Sequence, residues 1–214
     1  MKFAFLIPCL ALSVALAAPV RATTSSLWIV GQPIPDNSIL GVTDTRNFVS
    51  AITNITDVKV TLNISGGWAG DLYAYVQHDS GFAVLLNRVG RTAVSILGNP
   101  SSGFSVTLSD AAAADIHLAP DSGALLSGEF QPDGRTADPA VVLNTSARGA
   151  MLSSFRGLSS QGNWTIFVAD IAAGDEAILQ SWSLEITGIP EPSGGTLLLA
   201  ALGILLSRRR RLLA

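Results

Sequence analysis

Apolar and polar residues alternate with a period of two through most of the chain, which predicts half-buried β-strands. The clearest runs are residues 58–64, where valine, leucine and isoleucine alternate with lysine, threonine and asparagine, and residues 104–108. Four further strands are predicted from apolar sets on one face: Leu72, Ala74 and Val76; Phe82, Val84 and Leu86; Trp164, Ile166 and Val168; Trp182, Leu184 and Ile186. The alanine-rich residues 109–116 predict a short helix or helical turn instead.

Turn-forming residues separate these runs. Glycine, asparagine and aspartate cluster at residues 65–67, 79–81, 98–100, 133–134 and 173–175. Short strands with turns at intervals of about 8 to 15 residues favour an antiparallel sandwich over a parallel α/β sheet, because a parallel sheet needs amphipathic helices between its strands. The sequence therefore predicts an all-β fold with one antiparallel β-sandwich domain over residues 23–188.

The N-terminal end has the pattern of a secretory signal peptide. A basic residue precedes the apolar residues 3–18, and small residues follow. We expect a signal peptide over residues 1–22, with cleavage after Ala22; cleavage after Ala17 is the alternative. The chain's one cysteine, Cys9, lies within this segment, so the exported product would contain no thiol and no disulfide.

The C-terminal end has three parts in a fixed order. Pro190-Glu191-Pro192 is followed by the apolar residues 194–206 and then by Arg208, Arg209, Arg210 and Arg211. As a helix the apolar run is about 20 Å long, against about 30 Å of bilayer hydrocarbon, so it predicts a short transmembrane helix. The four arginines should stop in the cytoplasm, which places the preceding domain on the far side of the inner membrane.

This tail, over residues 189–214, resembles the PEP-CTERM sorting signal of Gram-negative bacteria. The resemblance implies an exosortase-type processing enzyme as a partner, with cleavage near Pro190-Glu191-Pro192. The protein would first be tethered to the inner membrane through its C-terminal helix and then reach the cell envelope or the extracellular space. An ordinary tail anchor that is never cut is the alternative.

Charge is unevenly distributed along the chain. The whole sequence has a formal net charge of −3, but residues 23–192 contain all sixteen acidic residues and seven basic ones, a net charge of −9. An acidic domain is a poor partner for nucleic acid, and it leaves room for divalent cations or basic surfaces.

Several segments resemble the P domain (P/Homo B) that follows the subtilisin-like catalytic domain of proprotein convertases. They are residues 34–37, 55–60, 70–76, 155–157, 162–170 and 174–184, in which a Gly-x-Trp strand and an aspartate loop precede the last strand. The resemblance covers about residues 27–188. It implies an eight-stranded jelly-roll sandwich and an accessory role beside a protease.

Two sets of residues are candidates for ligand binding. Asp170, Asp175 and Glu176 could supply oxygen ligands for calcium, joined by Asp71 or Asp79 across the sandwich. A solvated acidic turn is the alternative, with Asp71 serving as a turn lock.

Tryptophans form the second set. Trp28 and Trp68 lie near predicted loops and could stack on carbohydrate, whereas Trp164 and Trp182 alternate with polar residues and are predicted core anchors.

Catalysis is not expected. A Ser-His-Asp triad needs a histidine base, and His78 and His117 lack the sequence surroundings of a subtilisin-like histidine. We expect a non-enzymatic protein with no required cofactor: an exported P-domain-like binding or structural module. The alternatives are an accessory module of a separate subtilisin-like protease and a carbohydrate-binding module for exopolysaccharide.

Overall fold

The computed structural model describes residues 20–121 and 123–191. Within them the chain forms nine strands: β1 (Ala22–Ile34), β2 (Ser38–Phe48), β3 (Ile52–Gly66), β4 (Leu72–His78), β5 (Gly81–Asn87), β6 (Phe104–Ser109), β7 (Leu126–Phe130), β8 (Gly162–Asp170) and β9 (Ala177–Pro190). Short 3-10 helices lie at Ala69–Asp71, Ile116–Leu118 and Leu152–Phe155. The predicted all-β class is confirmed.

The strands form two packed sheets. One has five strands in the order β1-β9-β3-β6-β7, and the other has four in the order β2-β8-β4-β5. Without β7, the strand order is that of an eight-stranded jelly roll, as the resemblance implied. One pairing departs from the predicted antiparallel arrangement, since β6 and β7 are parallel. Leu126 lies opposite Phe104, so the chain returns to the start of β6 before β7 begins, as a parallel pair requires.

The core lies between the two sheets. The inward faces of β3, β8 and β9 are fully buried, including Trp164 and Trp182, which are both 0% exposed. These strands, with β4 and β6, confirm the periodicity predicted for them. Trp164 and Trp182 are core anchors, as expected.

Strand β5 departs from its predicted pattern. Phe82 is 37% exposed on the outer face of the sheet, whereas Ala83, Leu85 and Leu86 join the core. The register between β4 and β5 shifts between Ala74 and Tyr75. Such an irregularity reverses the side-chain alternation locally, so Phe82 and Leu86 do not share one face.

The helix predicted over residues 109–116 is wrong. This segment forms turns, and a 3-10 helix begins only at Ile116. The aspartates of this segment bond to amides at the starts of two 3-10 helices. Asp110 accepts from the amides of Leu152 and Ser153 at 3.1 and 2.7 Å, and Asp115 accepts from the amide of His117 at 3.0 Å. Aspartate favours turns for this reason.

The sandwich has two distinct ends. At the tail end, β1 begins and β9 finishes side by side, with Ala22 opposite Gly188. At the loop end, the connections of residues 35–37, 67–71, 88–103 and 171–176 lie together. Strand β9 has 14 residues, which at about 3.3 Å each separate the two ends by about 45 Å.

The C-terminal boundary of the sheet extends beyond the predicted residue 188. Pro190 pairs with Ile52, and the amide of Glu191 donates to the carbonyl of Ala51 at 3.1 Å. The folded domain therefore continues directly into the predicted sorting motif.

Several predictions fall on residues that the structure does not describe. They concern residues 1–19 of the signal peptide, Pro192, the apolar helix of residues 194–206, and Arg208–Arg211. Among the residues that are described, no helix has the length and apolar character needed to cross a membrane.

Candidate functional site

The outer face of the five-stranded sheet is polar along β3, β6 and β9, where side chains bond to one another. Thr61 and Thr107 share a hydrogen bond of 3.1 Å, and Asn63 lies 3.0 Å from the hydroxyl of Ser181 and 3.1 Å from that of Ser105. These bonds satisfy the hydroxyl and amide groups within the sheet. This face has the character of an ordinary solvated surface.

The outer face of the four-stranded sheet is polar between β2 and β8, where Thr45 and Thr165 share a hydrogen bond of 2.8 Å, but it is aromatic around β4. Tyr73 and Tyr75 of β4, Phe82 of β5 and Phe167 of β8 form a continuous set, which we call the aromatic face. The ring of Tyr75 stacks on Phe167 with centroids 5.0 Å apart, and it lies 5.1 Å from Phe82. Tyr73 lies 6.1 Å from Tyr75 and 6.4 Å from Phe167.

Strand register produces this arrangement. Tyr73 and Tyr75 occupy the outward positions of β4 because Leu72, Ala74 and Val76 point into the core. Tyr75 lies directly opposite Phe167 on β8, and such cross-strand aromatic pairs stabilise a sheet. Phe82 is 37% exposed and the other three rings are half-buried, so the four form one contiguous, partly accessible apolar surface, and such a surface commonly marks an interaction site.

A cavity of about 390 Å³ lies at the loop-end side of the aromatic face. Its volume is within the range of small-molecule sites. Tyr73 and Phe167 form its aromatic part, and the remaining wall residues are Ile39, Arg88, Asp138, Pro139, Ala140, Ala169 and Ile171. Burial raises the pKa of Tyr73, so its phenol keeps its proton and can donate a hydrogen bond.

The wall formed by residues 138–140 is held in place from β5. The side-chain amide of Asn87 donates to the carbonyls of Arg135 and Ala137, at 3.0 and 2.9 Å. Arg135 is itself fixed by Asp133 at 3.2 Å and by Asp115 at 2.9 Å. This buried network makes the cavity a preformed feature, because breaking a buried ion pair is costly.

Arg88 connects the cavity to the loop end of the sandwich. Its guanidinium donates to the carbonyl of Gly70 and to Asp71, the latter at 3.3 Å. Burial lowers the pKa of Arg88, although the neighbouring Asp71 opposes this effect. The guanidinium stays charged, but its donors to Gly70 and Asp71 are already used and Asp71 compensates its charge, so it is not a free anion-binding group.

Four carboxylates interact at the loop end: Asp36, Asp71, Asp170 and Asp175. Burial raises the pKa of Asp170 to about 6; the bond from the amide of Ala172 opposes this, and the neighbouring carboxylates add to it. Burial also raises the pKa of Asp71, against the lowering effect of its ion pair with Arg88. This end of the molecule is thus crowded with negative charge.

The predicted calcium residues are only partly brought together. Asp71, Asp170 and Asp175 influence one another at the loop end, and Asp36 joins them unexpectedly, while Glu176 is exposed on the adjacent loop. In the described ranges no three acidic or histidine side chains are grouped so that they could hold a metal ion. Calcium binding remains a prediction without geometric support.

The two tryptophans predicted to stack on carbohydrate lie in different surroundings. Trp28 lies within β1 rather than near a loop, and its ring packs inward on Trp182 at 4.4 Å and on Phe48 at 6.2 Å. Trp68 lies at the loop end, where its indole N–H donates to the carbonyl of Leu97 at 3.2 Å. It borders a smaller cavity of about 160 Å³. Trp68 stays a candidate, and Trp28 is part of the sandwich interior.

Both histidines are satisfied within the fold. The ring nitrogens of His78 contact the carbonyls of Asn163 and Ser159, at 2.9 and 2.7 Å. Those of His117 contact the Asp133 carboxylate at 2.7 Å and the Arg91 carbonyl at 3.0 Å. Because every ring nitrogen already has an oxygen partner, neither ring is placed to accept a proton from a serine nucleophile.

Part of the chain matches a known protein family. Residues 142–186 match the family profile of the proprotein convertase P-domain. The matched segment contains β8 and most of β9, where the sequence resemblance was strongest. A P-domain is an accessory domain rather than a catalytic one.

Two solved structures are similar to the chain, both of a serine protease from Aeromonas sobria, one of them in complex with a chaperone. The sequence identities are 15% and 14%, and the TM-score is 0.46 in each case. The similarity covers 80% and 82% of this chain but only 27% and 28% of the protease chain. No curated protein matches the sequence.

Sequence reasoning missed the aromatic face. The signal was present in β4, where tyrosines occupy the positions that alternate with core residues and where a solvated strand would carry polar side chains. Tyr75 contacts Phe167 and Phe82 because of the order and register of β8, β4 and β5. The residue pattern of a single strand does not contain that information.

Proposed function

We propose that the chain is an exported, non-catalytic binding module, and that it binds saccharide rings of an extracellular polysaccharide through the aromatic face and its adjoining cavity. The observation that supports this proposal is the contiguous set of four aromatic rings beside a preformed cavity. Tyr73, Tyr75 and Phe167 are half-buried and Phe82 is 37% exposed, so their faces are open to a ligand along one part of the four-stranded sheet.

The chemistry of the face suits a sugar. A pyranose ring has an apolar C–H surface and a rim of hydroxyls, and aromatic side chains with polar tips complement both. Tyr73 supplies such a tip, and the carboxylate of Asp138 at the cavity wall can accept from hydroxyls. A neutral polysaccharide is the preferred class, because Asp71, Asp170 and the net charge of −9 would repel an anionic one.

The geometry also supports display from a membrane through the sorting tail. Both termini of the domain leave at the tail end, where Ala22 lies opposite Gly188. The cavity lies towards the loop end, so a chain tethered by residues 194–206 would present it away from the bilayer. We propose that an exosortase-type enzyme then releases the domain to the envelope or the extracellular matrix.

Retention on matrix polysaccharide tests this function. The chain, purified from its host, is applied to immobilised polysaccharide from the host matrix together with the variant Tyr75→Ala. A stacked ring contributes about 0.5 to 1.5 kcal/mol, so we expect Tyr75→Ala to weaken binding up to about tenfold. Thr107→Ala, on the polar face, is the matched control and should bind as the wild type does.

Two results would contradict the proposal. If the wild-type chain is not retained, the saccharide function is wrong. If Trp68→Ala abolishes retention while Tyr75→Ala does not, the ligand binds at the loop end and the assigned face is wrong.

A second candidate function is that of an accessory module for a separate subtilisin-like protease. The P-domain match over residues 142–186 favours it. Chemical cross-linking in native cells followed by mass spectrometry would test it: a protease joined to residues of this domain supports an accessory role, and its absence from all cross-linked products removes this candidate.

A further inference from the structure

We infer that β1 is a self-association edge, through which two copies of the chain pair antiparallel and join their five-stranded sheets into one. This inference does not depend on the saccharide function. Strand β1 pairs with β9 on one side and is the terminal strand of its sheet. Apart from the carbonyl of Ile29, which accepts from Arg46, the amides and carbonyls on its other side form a template for another strand.

The first part of β1, up to Ile29, lacks the features that protect edge strands. These features are lysine, proline, inward charges, bulges and extreme shortness, and in β1 the irregularity lies between Ile29 and Gln32 and the proline is Pro33. The 13 residues of β1 contain no charged side chain, although the domain as a whole carries a net charge of −9. A second copy of this strand therefore meets no like-charged side chain on β1 itself, although the two acidic domains repel each other at longer range.

The exposed side chains of β1 are self-complementary. Leu27 and Ile29 are 62% and 72% exposed on the outward face of the strand. If two copies pair antiparallel about a twofold axis at Trp28, Leu27 of each copy lies opposite Ile29 of the other. The four side chains then form one apolar patch across the junction, as an isologous interface requires.

Arg46 is the group that this pairing displaces. Its guanidinium reaches from β2 across the side of the sandwich and donates to the carbonyl of Ile29 at 3.4 Å. The bond is long, and the same guanidinium has a second partner in Asp44 at 2.8 Å. Arg46 can therefore turn away and leave the Ile29 carbonyl to a strand amide.

The geometry has two consequences. Antiparallel pairing places the tail ends of the two copies at opposite ends of the dimer, so copies tethered side by side in one membrane cannot form it and released copies can. The dimer would also carry two aromatic faces, which would raise its avidity for a polymer; this second consequence, unlike the pairing, rests on the proposed function.

Sedimentation equilibrium of the purified chain tests the pairing. We expect a monomer–dimer equilibrium in the wild type. Ile29→Lys, which places a like charge from each copy near the twofold axis, should raise the dissociation constant at least about tenfold. Val94→Lys is the matched control, because Val94 is 97% exposed on a loop remote from β1, and it should leave the equilibrium unchanged. A wild-type chain that stays monomeric overturns the inference, and so does an equal response to both substitutions.

Disulfide trapping tests the register of the two β1 strands directly, without relying on a variant that dimerises more weakly. In a Cys9→Ser background, chains carrying Leu27→Cys are mixed with chains carrying Ile29→Cys. Antiparallel pairing about Trp28 predicts that the mixture cross-links faster than either variant alone, since opposite Cβ atoms lie about 4.5 to 5.5 Å apart. Faster cross-linking of Leu27→Cys alone would indicate parallel pairing and would overturn the assignment.

Discussion

The buried carboxylate of Asp170 should lower the stability of the folded domain at neutral pH. Asp170 is 1% exposed and interacts with Asp71, Asp36 and Asp175, and its pKa is raised from 3.8 to about 6. The folded state therefore holds the Asp170 proton more tightly than the unfolded state does. Protonation stabilises the fold at low pH, and this contribution is lost as the pH rises through about 6.

The magnitude follows from the pKa difference. At about 1.36 kcal/mol per pKa unit, the change from 3.8 to about 6 corresponds to about 3 kcal/mol, which is an upper value. Asp170→Asn removes the charge and keeps an oxygen that can accept from the amide of Ala172. We expect this variant to be more stable than the wild type by about 1 to 3 kcal/mol at pH about 7.5.

Urea unfolding of both proteins across a pH series measures this effect. The difference in the free energy of unfolding should shrink towards zero as the pH falls to about 4, because Asp170 is then protonated in the folded wild type. Glu185→Gln removes an exposed carboxylate from the polar face and serves as the control, with little effect expected at neutral pH. If Asp170→Asn is destabilising at pH about 7.5, or if the difference does not depend on pH, the reasoning about this cluster is wrong.

Three further predictions concern packing, metal and processing. Gly70→Ala should destabilise the domain by about 1 to 3 kcal/mol in urea unfolding, since its Cβ would meet the carbonyl of Leu97. Gly149→Ala, whose Cβ meets no atom within 4 Å, should be nearly neutral; equal effects would contradict the packing account. A chelator should leave the thermal midpoint unchanged, because the described residues contain no grouped set of metal ligands; a lower midpoint would restore the calcium prediction. Intact mass of the protein recovered outside the membrane should place its C-terminus near Pro192, just after Glu191, which is bonded to the sheet; a mass that retains residues 208–211 would contradict cleavage.

Most of the fold could be predicted from local patterns. The inward faces of β3, β8 and β9 follow from strict alternation, because burial between two sheets requires it. The exceptions have local causes that a pattern does not contain. Phe82 reaches the outer face through an irregularity in the pairing of β4 with β5, and Asp110 draws its segment away from a helix by bonding to the amides of Leu152 and Ser153.

The candidate site was harder to predict, because it is assembled from separate strands. The position of Trp68 near a predicted loop makes it a candidate for stacking on carbohydrate, and the structure does place it at the loop end. Tyr75 and Phe167 are not predicted as binding residues from the sequence, since each appears there as one aromatic residue in a strand. They form part of the aromatic face because the strand register sets them opposite each other.

Chemical-shift mapping would locate the saccharide site on the domain. The ¹⁵N-labelled chain is titrated with soluble fragments of the host matrix polysaccharide. We expect amide shifts that concentrate at Tyr73, Tyr75 and Phe167 and along the cavity wall at Ala140, with the polar part of the five-stranded sheet unaffected. Shifts confined to the loop around Trp68, or no shifts at saturating fragment, would contradict the assignment of the aromatic face as the binding surface.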